Sequence, residues 1–192
     1  MRTKNPTQTR EQLLQATASL IVQQGANNIT LEQIAASAKV SKGGLLHHFP
    51  NKNSLLRGLI QQLVEVFEQS INAHLEPEPS PGSWTRAYIC ATFVVSPEEQ
   101  RLTNALASLI ISHPELLSDL QEAFNFVEKR SLSDNIPAAR ATIIRLACDG
   151  LWFGELTGMV SVPLALRQQL LEQLLEMTKG GQSLQTNEFQ LR

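Results

Sequence analysis

Residues 29–56 contain two short helical patterns separated by a tight turn, and this arrangement restricts how the chain can fold. Thr30 and Gln33 form a capping-box pattern, in which each residue's side chain satisfies a backbone amide left unpaired at the helix start. Apolar residues then recur at helical spacing, at Leu31, Ile34, Ala35 and Ala38. The single apolar face they form must pack on a neighbouring element, which is typical of a helix-turn-helix.

The second helical pattern is short and contains two adjacent glycines, Gly43 and Gly44. Ser41 is placed to cap this helix, and the proline after Phe49 ends it, because proline disfavours helical geometry in the residue before it. Leu45 and Phe49 lie four residues apart, so both can face inward. Each glycine costs about 1 kcal/mol relative to alanine. Their presence favours a helix whose backbone closely approaches a DNA groove.

The joint spacing of these residues resembles the DNA-binding domain of the TetR/AcrR family of bacterial transcriptional regulators. The matching residues are Thr30, Ile34, Ala35, Ala38, Val40, Ser41, Lys42, Gly43, Leu45, His48, Phe49, Pro50, Lys52, Leu55 and Leu56. Lys39 stands where this family usually has glycine, so we expect a left-handed lysine at a cost of about 1 kcal/mol. Leu46 and His47 stand where aromatic residues are frequent in the family.

The resemblance implies that the second helix enters the major groove of duplex DNA. Gly43 and Gly44 would allow close approach, and Leu46 could touch thymine methyl groups. Contacts with the DNA backbone are expected from Thr30, Ser41, Lys42, His47, His48 and Lys52. Few side chains in this helix can read base edges, so part of the specificity is expected to come from DNA shape.

Charge is unevenly distributed along the 192 residues. Residues 1–60 carry seven lysine or arginine side chains and two glutamates, a net charge of +5. The whole chain carries −2, so the remainder carries −7. A basic end joined to an acidic body suits a protein that presents one end to a polyanion. A solvated basic face without a partner would give the same count, so charge alone leaves both interpretations open.

The whole chain is 42% hydrophobic, which is enough to bury a sizeable core. It shows no sustained alternation of polar and apolar residues, so an all-α protein is predicted. Thr9 and Gln12 resemble a further capping box, which would follow a loose basic arm over residues 1–7 and start a supporting helix ending near Gly25. Asn51 can cap a long helix that continues to about His74. This helix would connect the head to the body.

Breaker residues mark the remaining boundaries. Residues 76–82 predict a proline-rich loop. Further helices are expected to start at Ser83, Ser96, Ser112, Pro137 and Pro163, and the last two to end near Gly158 and Lys179. The predicted organisation is a three-helix, helix-turn-helix head over residues 1–50, a TetR-like helical regulatory and dimerisation domain over 51–179, and a polar tail over 180–192.

The resemblance also implies a homodimer, in which segments 137–158 and 163–179 of two chains pack as a four-helix interface. The second segment carries more apolar surface than one helix contact needs. A ligand pocket is expected to be lined by aromatic residues, namely Trp84, Tyr88, Phe93, Phe124, Phe126, Trp152 and Phe153, with Arg86, Arg145 or Glu155 as polar anchors. Aromatic residues at helical spacing are also typical core residues, so each keeps that alternative.

No catalytic, metal or cofactor site is expected. The four histidines, His47, His48, His74 and His113, lie in no metal or nucleophile motif. Cys90 and Cys148 have no metal-type spacing and fit core positions in a reducing cytoplasm. No apolar run reaches the roughly 20 residues of a membrane span, and the N-terminus lacks the apolar segment of a signal peptide. We therefore expect a cytoplasmic protein without a membrane partner.

Together these features predict a dimeric, ligand-responsive transcriptional repressor that binds a near-palindromic operator, because a two-fold dimer presents two matching heads. Its effector would be a small molecule whose identity the sequence leaves open. The alternative is a helical adaptor that binds another protein. The basic head disfavours the adaptor, and salt-sensitive binding to duplex DNA would separate the two functions.

Overall fold

The computed structural model describes residues 6–179, and every regular element within this range is helical. Its α-helices are α1 (Pro6–Gln24), α2 (Leu31–Ser37), α3 (Lys42–His48), α4 (Lys52–Ala73), α5 (Ser83–Phe93), α6 (Pro97–Ser112), α7 (Ser118–Leu132), α8 (Ala138–Thr157) and α9 (Leu164–Met177). Short 3-10 turns precede α2 and α7. The predicted all-α fold class is confirmed. The polar tail predicted for residues 180–192 and the first five residues of the basic arm lie outside the described range.

Helices α1 to α3 and the start of α4 form the head, and its caps follow the sequence prediction. The Thr30 hydroxyl accepts the Gln33 N–H at 3.2 Å, and Gln33 Oε1 accepts the Thr30 N–H at 2.8 Å. The Ser41 hydroxyl accepts the Gly44 N–H at 3.0 Å and so caps α3. Lys39 has a φ of 55°, which confirms the left-handed lysine predicted in the turn.

One hydrophobic core continues from the head into the body. It joins Leu13, Ile34, Leu45, Phe49, Leu55 and Leu56 of the head and α4 to Leu102, Leu106 and Leu109 of α6. A second core lies around α5, α8 and α9 and includes Ile71 of α4. Helix α4 therefore connects both cores, and its 22 residues span about 33 Å. Side chains from both sides of residues 50 and 51 belong to the first core. Packing therefore does not separate two domains there, and the domain boundary stays a prediction.

The predicted start of α1 is wrong. Thr9 lies within the helix and is 8% exposed, and α1 already includes Pro6 and Thr7. Proline is tolerated in the first turn of a helix, where its missing N–H needs no partner. The predicted loose arm therefore overlaps α1 at residues 6 and 7.

The start of α5 is capped by a distant residue and not, as predicted, by Ser83. Ser83 is the first residue of α5, and the N-cap position is taken by Gly82, which has no side chain to cap the helix. The Asp134 carboxylate, from the loop between α7 and α8, accepts the N–H of Thr85 at 2.7 Å and that of Trp84 at 3.3 Å. It also accepts the Thr85 hydroxyl at 2.7 Å. This cap fixes α5 against the loop that follows α7.

The later helix boundaries largely agree with the sequence prediction. The Ser96 hydroxyl accepts the Glu99 N–H at 3.1 Å and caps α6. Pro114 begins a 3-10 turn, so α7 starts only at Ser118 and not near Ser112. The two prolines predicted to start α8 and α9 directly precede these helices. The left-handed residue that ends α8 is Gly158, with a φ of 72°.

Candidate functional site

The outer face of α3 is exposed at the surface of the head. Lys42, Gly43, Leu46 and His47 are exposed, whereas Leu45 is completely buried in the head core. His48 is half-buried, and its ring packs edge-on against His47 with centroids 5.5 Å apart. The helix therefore presents a short basic and apolar strip to solvent.

Each of the two predicted DNA-binding lysines contacts a residue from another element of the head. Lys42 Nζ lies 2.6 Å from Glu32 Oε1, which joins the starts of α3 and α2. Lys52 Nζ donates to the Asn27 carbonyl at 3.4 Å, which joins the start of α4 to the loop before α2. The hydrogen bond with Lys42 lowers the pKa of Glu32, whereas burial lowers the pKa of Lys52. Thr30, which caps α2, also interacts with Glu32 through its side chain.

The two glycines of α3 face different surroundings. A Cβ atom at Gly43 would meet nothing within 4 Å, so this part of the backbone is open to a partner. A Cβ atom at Gly44 would lie 2.9 Å from Val40 Cγ1 and 3.2 Å from Ser41 Oγ. Packing within the head therefore accounts for Gly44, while only Gly43 remains without a packing reason.

Thr30 and Ser41, the predicted hydroxyl contacts, both act as helix caps. Each hydroxyl oxygen accepts a backbone N–H. A hydroxyl that accepts in this way keeps its own O–H as a donor. Both residues are exposed, so the Ser41 O–H can reach a phosphate oxygen, whereas the Thr30 O–H would first have to leave the Glu32 carboxylate.

A cavity of about 120 Å³ lies in the body between α4, α5, α6, α7 and α8. The predicted ligand residues that line it are Tyr88, Phe124, Trp152 and Glu155. Trp84 does not line it but stacks on Tyr88, with centroids 5.8 Å apart. Phe93 also lies outside the lining, with the Arg167 guanidinium over its ring, and Phe153 is exposed on the outer face of α8.

Charged groups beside the cavity are held by hydrogen bonds. Tyr88 donates its hydroxyl to Asp149 Oδ1 at 2.7 Å, and Arg145 Nη1 donates to Asp149 Oδ2 at 2.8 Å. Burial raises the pKa of Tyr88 well above its ordinary value, so the phenol stays protonated and remains a donor. Arg167 pairs with Glu155.

Arg86, a predicted polar anchor, does not line the cavity. Its Nε atom lies 2.6 Å from Glu76 Oε1, and its Nη1 atom donates to Thr178 Oγ1 at 3.2 Å. It therefore ties the loop before α5 to the residue after α9. Phe126, named with the aromatic set, packs edge-on against Trp84 and likewise lies outside the lining.

Sequence reasoning missed the polar residues that α6 and α8 contribute to the cavity. These are Glu99, Gln100, Thr103 and Asn104 of α6 and Asp149 of α8. Glu99 is 5% exposed, and its Oε2 atom is buried without a hydrogen-bond partner among the described residues. Burial raises the pKa of this carboxyl. The available signal was the four-residue spacing of Glu99 and Thr103, which is equally typical of a solvated helix face.

The outer faces of α8 and α9 are apolar and exposed in the single chain. On α8 they include Ile143, Leu146 and Phe153, and on α9 they include Leu164, Leu166 and Leu170. Gly150 lies on the same face of α8, and a Cβ atom there would meet nothing within 4 Å. Leu174 of α9, by contrast, is buried in the second core.

Within residues 6–179, no group of three or more His, Cys, Asp and Glu side chains is arranged to hold a metal ion. No helix in this range combines the length and apolar character needed to cross a membrane. Both cysteines are free. Burial raises the pKa of Cys148 to about 12, so its thiol stays protonated near neutral pH.

Two family models match the chain. One is described as bacterial regulatory proteins of the tetR family and matches residues 13–59, which contain α2, α3 and the start of α4. The other is described as the tetracyclin repressor-like C-terminal domain and matches residues 82–179, which contain α5 to α9. The exposed α3 lies in the first match. Four of the five helices that enclose the cavity, α5 to α8, lie in the second.

Curated relatives cover much of the chain at low identity. The nucleoid occlusion factor SlmA of Photobacterium profundum is 29% identical over 125 residues, 64% of each chain. The matched region is therefore less than two thirds of that protein. The HTH-type transcriptional regulator BetI of Serratia proteamaculans is 27% identical over 155 residues, 74% of each chain.

Solved structures share the fold. A transcriptional regulator from Rhodococcus sp. Rha1 superposes with a TM-score of 0.67 at 18% identity, covering 88% of this chain and 95% of that one. NalD, the secondary repressor of the MexAB-OprM multidrug efflux pump in Pseudomonas aeruginosa, has a TM-score of 0.60 at 20% identity. That comparison covers 90% of this chain and 97% of NalD.

Proposed function

Because this chain belongs to the TetR family of bacterial regulatory proteins, we propose that it regulates transcription by binding duplex DNA through the outer face of α3. The observation that carries the proposal is the exposure of Lys42, Gly43, Leu46 and His47 on one helix face. Leu45, on the opposite face, anchors this helix in the head core. Such a helix can enter a major groove as a rigid unit.

Each exposed group on this face has a distinct role in the proposal. Gly43 has no side chain and open space at its Cβ position, so the backbone can approach the DNA closely. Lys42 supplies a charge for a phosphate, and Leu46 supplies apolar contact for a thymine methyl. Thr30, Ser41, His47, His48 and Lys52 add further contacts with the DNA backbone, which set the register of the head.

We further propose a homodimer through segments 137–158 and 163–179. Ile143, Leu146 and Phe153 recur on one face of α8 at helical spacing and are exposed in the single chain. The exposed Gly150 within this face would let the backbone of a partner helix approach closely. A two-fold dimer presents two matching heads, so the operator should be a near-palindrome.

The cavity is proposed to bind a small-molecule effector that alters the position of the heads. Helix α4 lines the cavity at Leu63, Val64 and Phe67, and roughly two to three turns earlier it packs in the head core at Leu55 and Leu56. A ligand that prefers one position of α4 would therefore bias the head. We propose that the DNA-bound protein blocks transcription and that the ligand releases it from DNA, so the protein would act as a repressor. NalD is also called a repressor.

The two family matches support a head and a body as separate units. We propose residues 1–50 as the DNA-binding unit and 51–179 as the ligand-binding and dimerisation unit. Helix α4 starts directly after this boundary and carries side chains of both cores. Because α4 packs in both cores, a movement of α4 caused by the effector would also move the head.

Selection of bound duplexes from a random DNA pool, by purified protein at two salt concentrations, tests the function. We expect enrichment of one near-palindrome, with affinity falling as the salt concentration rises, because lysine contacts with phosphate release counterions. If protein shown to be folded and dimeric enriches no sequence, the proposal fails. Such a result would favour the helical adaptor.

A further inference from the structure

We propose that the cavity binds an apolar molecule carrying a protonated amine, and that Glu99 is the residue that recognises this amine. The inference rests on the proposed function only in treating the cavity as the effector site. Glu99 lines the cavity, is 5% exposed, and holds Oε2 without a hydrogen-bond partner among the described residues. The Ser96 backbone N–H interacts with this carboxyl group, but burial of its Oε2 atom without a partner remains costly. A bound ammonium group would supply the missing donor.

The charges around the cavity favour a cationic ligand. Three carboxylates line it, those of Glu99, Asp149 and Glu155, while the lining within residues 6–179 contains no lysine, arginine or histidine. Arg145 pairs with Asp149, and Arg167 pairs with Glu155. No described cation lies within ion-pair distance of Glu99. Glu99 is therefore the lining carboxylate whose charge remains to be matched by a ligand.

The cavity walls indicate what the rest of the ligand should be. Leu63, Phe67, Phe124, Val127 and Trp152 provide an apolar lining. The rings of Phe124 and Trp152 pack edge-on with centroids 6.0 Å apart, and aromatic faces also attract ammonium groups. The cavity of about 120 Å³ is partly open to solvent and smaller than the roughly 150 Å³ of an enclosed apolar cavity that holds benzene, so a ligand with one ring must extend beyond the enclosed space. One aromatic ring with a short aminoalkyl chain fits this description.

The test compares three probes that share one ring and differ in charge: 2-phenylethylamine, 2-phenylethanol and phenylacetate. Their affinities for the full chain are measured by calorimetry at neutral pH. We expect the amine to bind roughly tenfold or more tightly than the alcohol, because a charge-assisted hydrogen bond replaces a neutral one. Phenylacetate should bind least, because its carboxylate would face an unpaired carboxyl group.

Two matched variants assign the preference to one side chain. Glu99→Gln keeps the size of the side chain and removes its charge, so the amine should lose its advantage while binding of the alcohol stays unchanged. Glu155→Gln removes a lining carboxylate that already has an arginine partner, so the preference should survive. Glu99→Met fills the same space without an acceptor oxygen and should reproduce the effect of Glu99→Gln. Thermal unfolding of each variant verifies that it is folded.

Three results would overturn the inference: equal binding of amine and alcohol, an amine preference that persists in Glu99→Gln and Glu99→Met, or no binding of the amine. Operator selection with the same protein separates this failure from failure of the proposed function. A protein that enriches an operator but shows no amine preference contradicts the inference alone. A protein that prefers the amine but enriches no DNA contradicts the proposed function alone.

Discussion

Replacing Lys42 by alanine should weaken operator binding in a way that depends on salt. Each phosphate neutralised by a lysine contributes about 0.9 to the slope of log affinity against log salt. A dimer carries two copies of Lys42, so Lys42→Ala should reduce the slope by about 1.8. Over a fourfold rise in salt, from about 50 to about 200 mM, this corresponds to a factor of about 12. The loss of affinity should therefore be about 12-fold larger at the lower salt concentration.

Glu32 provides a second way to test the contact. In the free protein, Lys42 Nζ lies 2.6 Å from Glu32 Oε1, with 57% of the lysine and 62% of the glutamate side chain exposed. A phosphate must displace this carboxylate, and an exposed ion pair resists displacement only weakly. Glu32→Gln should therefore raise operator affinity. The gain should be smaller when Lys42 is already alanine, because the displaced contact is then absent.

Fluorescence anisotropy with a labelled operator duplex, titrated at several salt concentrations, measures both effects. Lys179→Ala is the matched control, because Lys179 is also an exposed lysine paired with a glutamate, Glu176 at 2.8 Å, but it follows α9 in the body. Its salt slope should equal that of the wild type. The reasoning is refuted if Lys42→Ala leaves the slope unchanged, or if Lys179→Ala changes it equally.

Four further changes test the fold and the body. Leu146→Glu should convert the dimer to monomers in sedimentation equilibrium, whereas Val22→Glu, at a similarly exposed apolar residue of α1, should not. Asp134→Ala should lower the free energy of unfolding in urea by about 1–2 kcal/mol, since the cap of α5 is lost; no change would contradict its capping role. Lys39→Gly should raise that free energy by about 1 kcal/mol, because glycine adopts the left-handed turn without strain. Glu99→Gln should stabilise the protein at about pH 7 but not below about pH 4. The pKa of Glu99 is raised in the folded state, so the wild type loses stability as this carboxyl ionises with rising pH. An equal gain in stability at both pH values would contradict this assignment.

Features set by residues close in sequence could be predicted. The caps at Thr30 and Ser41 depend on residues three positions away. The left-handed Lys39 was expected from the resemblance, because it stands where the family usually has glycine. The inward placement of Leu45 and Phe49 follows from helical spacing. Together with the family resemblance, these local signals predicted the head apart from the start of α1.

Features set by residues distant in sequence could not be predicted. Asp134 caps a helix that starts about 50 residues earlier, and nothing in the local sequence distinguishes it from other loop aspartates. From the sequence, Glu99 was not identified as a site residue, although it lines the cavity. Packing among several helices decides which face of α6 lines the cavity, and helical spacing alone does not specify that face.

Aromatic content was also a poor guide to the cavity. Trp84, Phe93 and Phe153 lie on amphipathic helices, as Tyr88 and Phe124 do. Trp84 nevertheless lies in the core, Phe93 lies beneath an arginine, and Phe153 lies on the outer surface. Gly44 illustrates the same limit in the head. Both glycines of α3 suggested close approach to DNA, but the space at Gly44 is already occupied by Val40.

Dimethyl sulfate protection on the selected operator tests the central claim most directly, because the reagent methylates guanine N7 in the major groove. The outer face of α3 should protect guanines in two half-sites related by a two-fold axis, separated by a whole number of helical turns on one side of the duplex. Lys42→Ala should keep the same pattern but require more protein. Protection of a single unrepeated cluster, or no protection of N7 while the protein is bound, would contradict insertion of two α3 helices into the major groove.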